Sequence, residues 1–121
     1  MVGYSKGWPG RSTKLPFGHV VLALALIFGP ALSALAAETL TVLQKGRAFN
    51  PLTLNARVGD TVHIVNDDEF IHHVFIRSAT FNFDSGEVDL GQFVDIKLST
   101  AGTFAVLCAI HPKMHLELTV R

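Results

Sequence analysis

From residue 39 onward, apolar and polar positions alternate in short stretches broken by turn-forming residues. Thr39 to Leu43 alternates, Leu52-Thr53-Leu54 is a short extended piece, and Thr61-Val62-His63-Ile64-Val65 follows the turn Arg57-Val58-Gly59-Asp60. His72 to Arg77 carries Val74 and Ile76 on one face. Phe81-Asn82-Phe83 precedes a turn expected at Asp84-Ser85-Gly86, and Phe93 to Leu98 lies within 88–98. Thr103 to Cys108 follows a turn at Ala101-Gly102, and Leu116 to Arg121 completes the set. Period-two patterning bounded by Gly, Asn and Asp is the signature of β-strands half buried on a sheet face. Seven or eight such strands, with turns about every ten residues, predict an all-β, two-sheet sandwich. No stretch has the period of an amphipathic helix, and the chain shows no internal repeat or low-complexity tract.

One segment breaks the pattern. Lys6, Arg11 and Lys14 occur with no acidic residue among them, and then come an unbroken apolar run from Val20 to Phe28, Gly29-Pro30, and Ala34-Leu35-Ala36. A basic head, a short apolar middle and an A-x-A site form a secretory leader. Residues 1–36 are therefore expected to be removed, with Ala37 as the alternative cleavage point, leaving 37–121 as one small domain. The competing reading is an uncleaved membrane anchor over 15–37. It is opposed by an apolar run well short of the roughly 20 residues a spanning helix needs and by the helix-breaking Gly29-Pro30.

Removing the leader changes the charge. The whole chain has ten basic and ten acidic residues; 37–121 keeps seven basic against ten acidic. A mildly acidic domain lacks the basic stripe that binds nucleic acid and has no basic patch for anionic lipid, so no membrane association is expected after cleavage. It also has a single cysteine, Cys108, and so cannot form an internal disulfide in an oxidising compartment. The thiol must be buried as a small hydrophobe, bridged to a partner, or bound to metal.

The surroundings of that cysteine favour metal. Cys108-Ala109-Ile110-His111-Pro112-Lys113-Met114 spaces a thiolate, an imidazole and a thioether at three-residue steps, and His72-His73 offers another imidazole upstream. Two histidines and a cysteine with a weak axial methionine are the ligands of a blue-copper site: soft sulfur suits Cu(I), and imidazole suits both oxidation states. Zinc on His72, Cys108 and His111 is disfavoured by the methionine. On the expected strands, Cys108 ends one strand, His111 sits in the loop stiffened by Pro112, and Met114 precedes the last strand.

These residues, together with Phe49-Asn50-Pro51, Val58-Gly59-Asp60-Thr61-Val62, Val65-Asn66-Asp67-Asp68 and Ala101-Gly102-Thr103-Phe104, resemble the cupredoxins, the plastocyanin- and amicyanin-like blue-copper proteins. The resemblance spans essentially 39–121. It implies a Greek-key two-sheet sandwich, one copper ion per chain, export to the periplasm, and service as a diffusing, monomeric electron carrier rather than an enzyme. Its redox partner proteins would be of the kind of a cytochrome c or a dehydrogenase. The ligands it implies are His72, Cys108, His111 and Met114, with His111 as the exposed edge through which electrons pass. His73 stands where the family usually has asparagine, and Ala109 where a hydroxyl residue is often found. His73 is accordingly expected to support the ligands rather than bind the metal.

The remaining residues have plainer expectations. His63 should face the outside of a sheet and His115 should lie outside the ligand set. Phe70, Phe75, Phe81, Phe83, Phe93 and Phe104 are expected in the core. Ile110, Pro112 and Met114 should make an apolar surface around His111, with Lys113 adding charge. Asp67-Asp68-Glu69 is a solvated loop and a candidate docking patch for a basic partner. A copper delivery or storage module would use the same ligands, and a redox enzyme or sensor is a third possibility; the haem signature C-x-x-C-H is absent.

Overall fold

The computed structural model describes residues 34–121 and, before them, only positions 3, 7, 9–11, 13, 14 and 29. Most of the expected leader therefore lies outside the described residues. Within 34–121 the chain forms nine strands: β1 (Thr39–Lys45), β2 (Ala48–Asn50), β3 (Thr53–Ala56), β4 (Thr61–Asn66), β5 (His72–Arg77), β6 (Asn82–Val88), β7 (Phe93–Lys97), β8 (Gly102–Cys108) and β9 (His115–Val120). They make a four-stranded sheet in the order β2-β1-β4-β7 and a five-stranded sheet in the order β3-β9-β8-β5-β6. The β1–β4 and β3–β9 pairs are parallel and the others antiparallel. The all-β sandwich expected from the alternation is present, with one strand more than anticipated. That strand is β2, three residues whose pattern was too short to register.

The alternation becomes the core directly. Val42, Val62, Ile64 and Ile96 face inward from one sheet, and Val74, Ile76, Phe104, Val106, Leu116 and Leu118 from the other; each is at most 4 % exposed. Side chains of this kind each contribute roughly 1.5–3 kcal/mol when fully buried. The aromatic residues divide less simply. Phe104 is buried and Phe81 and Phe83 pack against the core, but Phe70 and Phe93 are 37 % and 58 % exposed, and Phe75 is half-buried on the outer face. Position in a loop or at an outward register overrides their hydrophobicity. Phe49, on the strand missed, is among the largest fully buried side chains.

Turn chemistry fixes the end of the sandwich remote from the cysteine. Asp60 accepts hydrogen bonds from the N–H groups of Glu38 and Arg57, each at 2.8 Å. These two bonds hold its carboxyl below the ordinary carboxylate value. Gly59 takes φ 100°, where a side chain would be strained. The turn expected at Asp84-Ser85-Gly86 does not exist: those residues lie inside β6. The ladder to β5 slips between His73 and Phe75, and this irregularity absorbs the turn-like sequence. Ser85 Oγ accepts the N–H of Val74 at 2.9 Å, replacing a ladder bond.

Candidate metal centre

Three of the four expected ligands converge because adjacent strands of one sheet deliver them. β5 pairs with β8 so that Val74 lies opposite Cys108, which sets His72, at the start of β5, beside the end of β8. Residues 109–114 then turn back at once into β9, and the N–H of Met114 bonds to the carbonyl of His111 at 3.0 Å. The loop is therefore one tight turn that brings His111 over the cysteine.

The donor atoms form a nearly isosceles triangle. Cys108 Sγ lies 3.7 Å from His72 Nδ1 and 3.7 Å from His111 Nδ1, and the two nitrogens are 3.1 Å apart. A circle through the three atoms has a radius of about 2.0 Å, close to the roughly 2.0–2.3 Å of a first-row metal's bonds to imidazole and thiolate. One point therefore satisfies all three donors at once. No other group of three or more His, Cys, Asp or Glu side chains among the described residues is so disposed. His72, Cys108 and His111 are a possible copper site, and their softness and nitrogen content fit that metal. Met114 is 1 % exposed and belongs to the same buried cluster as Cys108. It is therefore not part of an exposed apolar surface, as the sequence had suggested; Ala109, Ile110, Pro112 and Lys113 of that loop stand in solvent.

The protonation of His72 is arranged by Asp68. His72 Nε2 lies 3.1 Å from Asp68 Oδ2, and the two side chains are 0 % and 5 % exposed. An Nε2–H donated to this carboxylate leaves Nδ1 as a lone pair facing the triangle. Burial holds His72 below its ordinary value, against the raising effect of Asp68, so the ring is neutral and able to ligate. For Asp68, burial acts to raise its value, but the N–H groups of Arg47 (2.7 Å) and Glu69 (2.9 Å) and the His72 ring outweigh it and keep the carboxyl low. Asn66 holds the loop in place. Its Nδ2 donates to the carbonyls of Phe70 and Val88, and its Oδ1 accepts the N–H of Asp68.

His73 supports the site, but through its backbone. Its N–H points at Cys108 Sγ at 3.4 Å, and its carbonyl accepts the N–H of Ala109 at 2.9 Å. These bonds tie the two ligand segments together without the side chains that asparagine and a hydroxyl residue would supply. Strand alternation sends its imidazole to the opposite face, where Nε2 meets Asp84 Oδ1 at 2.5 Å and Arg77 holds the other carboxylate oxygen at 2.7 Å. His63 sits on the outer face against Phe93 and Asp95, and His115 is exposed and outside the triangle. The residue that the sequence did not expose is Asp68. Its part depends on a loop conformation with no periodic signal.

No protein-family model and no characterised protein's sequence matches the chain. Solved structures do. A methionine-to-alanine variant of amicyanin with Cu(I) is 21 % identical, with a TM-score of 0.64, over 69 % of this chain and 82 % of that one. A purple cupredoxin from Nitrosopumilus maritimus is 21 % identical, TM-score 0.62, over 68 % of this chain and 99 % of the other. A copper-containing nitrite reductase from Thermus scotoductus SA-01 is 27 % identical, TM-score 0.65, over 73 % of this chain but 23 % of its own. With its two mixed sheets and these likenesses, the chain is cupredoxin-like: its fold is the cupredoxin fold.

Proposed function

We propose that this protein is a blue-copper electron carrier, exported after loss of residues 1–36 and passing single electrons between redox partner proteins such as a cytochrome c or a dehydrogenase. The observation that carries the reading is the triangle of His72 Nδ1, Cys108 Sγ and His111 Nδ1, with Met114 buried at the end of the same loop. His72, Cys108 and His111 would hold the ion, and the thioether of Met114 would add a weaker, soft donor. Bound copper supplies the one-electron Cu(II)/Cu(I) couple.

The chain's own residues account for the rest of the chemistry. Asp68 fixes the His72 tautomer, and the N–H of His73 points at the cysteine sulfur, where it withdraws charge and so favours the reduced state. His72, Cys108 and Met114 are at most 3 % exposed, so water is kept from three of the four donors. His111 is half-buried and borders the surface, which makes its ring edge the route for electrons. No acid, base or nucleophile is required.

Adding Cu(II) to the purified protein is expected to give an intense visible absorption from the cysteine–copper bond, and Cys108→Ser is expected to abolish it. A colourless wild-type complex would remove the carrier reading in favour of copper delivery or storage.

A further inference from the structure

The surface around His111 is apolar at its centre and cationic at its edge. Ile110 is 43 % exposed, and with Pro112, Lys113, Arg47 and His111 it lines an open hollow. Phe70 extends the apolar area, its ring edge-on to His111 with centroids 5.9 Å apart. Lys113 belongs to the ligand loop itself. Arg47 arrives from the other sheet, at the tip of the two-residue β1–β2 hairpin. There it takes φ 55°, a conformation a non-glycine residue adopts only at a cost and one that clusters at functional sites. Its N–H is anchored on Asp68 and its guanidinium lies 3.8 Å from the centre of the Phe70 ring.

The acidic loop nearby does not cancel these cations. Asp67 is paired with Lys45 at 3.1 Å, and Asp68 is 5 % exposed and occupied by Arg47 N–H and His72. Glu69 is exposed but does not line the hollow. Among the described residues, neither Arg47 nor Lys113 has a carboxylate within ion-pair distance. The basic partner expected for Asp67-Asp68-Glu69 is thus disfavoured, since Asp68 is buried against His72 and Asp67 is already paired with Lys45 on the surface. Because 37–121 is acidic overall, the cationic edge is a local feature and not a reflection of net charge.

Resting on the carrier reading above, we propose that the His111 face docks on an acidic, carboxylate-bearing patch of its redox partner protein. Arg47 and Lys113 meet carboxylates at the rim, while Ile110, Pro112 and Phe70 make the apolar contact around the electron route. Such rim charges act mainly on the encounter rate and its salt dependence, as suits a small and short-lived complex.

The test uses gold surfaces bearing carboxylate- or trimethylammonium-terminated alkanethiols, with adsorption followed by surface plasmon resonance for copper-loaded and copper-free protein. Wild-type protein is expected to bind the carboxylate surface and to leave it as salt rises, although the chain carries no net positive charge. Reversal of the rim charges in R47E/K113E is expected to weaken binding roughly tenfold or more, with the visible spectrum unchanged. The control R57E/R121E makes the same change in net charge at the opposite end of the sheet and is expected to bind as wild type does. Preference of the wild type for the ammonium surface, or an equal loss in the control, would overturn the proposal. Since adsorption is also read without copper, a colourless copper form would end the carrier reading while leaving the docking result standing.

Discussion

Replacing Asp68 by alanine tests the most specific feature of the centre. Its carboxylate accepts three hydrogen bonds: from the N–H of Arg47 at 2.7 Å, from the N–H of Glu69 at 2.9 Å, and from His72 Nε2 at 3.1 Å. Arg47 and Glu69 are exposed and their amides can turn to water. His72 is 0 % exposed, so its Nε2–H is left dry. An unpartnered buried donor costs roughly 1–3 kcal/mol, and that loss should appear in the urea unfolding of the copper-free protein. With the tautomer no longer fixed, Cu(I) affinity, measured by competition with a chromogenic chelator, should fall about 10- to 100-fold. Asp68→Asn keeps an oxygen acceptor without the charge. As charge-assisted bonds are about twice as strong as neutral ones, it should lose less on both counts. Should Asp68→Ala keep its affinity within about twofold and its stability within about 0.5 kcal/mol, the scatter of a neutral surface change, the carboxylate does not orient His72.

Three further outcomes are expected. His73→Ala should leave the copper absorption essentially unchanged, because the contact to Cys108 is made by the backbone; loss of the band would show that the imidazole takes part. Leu118→Ala, at a position with 0 % exposure, should lower the unfolding free energy by about 2–5 kcal/mol, measured by urea denaturation. For Asp60, the folded-state value lies below the ordinary 3.8, so its stabilisation is complete above that value and is lost as the pH falls through the folded one. Asp60→Asn should therefore be less stable at neutral pH and lose less on acidification below about pH 4; an unchanged acid limb in chemical denaturation would refute the assignment.

The convergence of His72, Cys108 and His111 was legible in the sequence because it rests on two local signals. The spacing of Cys108, His111 and Met114 is local, so a single turn of backbone suffices to place them, and alternation along 72–77 alone decides that His72 faces inward when His73 faces outward. The same logic failed where a residue's role depends on its neighbours in space. Asp84-Ser85-Gly86 has turn composition, yet pairing with β5 keeps it in a strand. Met114 was placed at the surface because its neighbours are there, but β9 starts at His115 and pulls it into the core.

By itself the sequence determined most of the strands and their inward faces, and it offered His72, Cys108 and His111 as donors, because these follow from periods of two and from chemistry carried by single side chains. Tertiary structure alone decided which charges remain for other molecules. Asp68 is withdrawn by Arg47 and His72, and Asp67 by Lys45, through contacts between residues 4 to 22 positions apart. Arg47 is brought to the metal face by a hairpin of the other sheet. Charge pairing across sheets depends on distances that no one-dimensional pattern encodes, and it turns an apparently acidic loop into a face edged with cations.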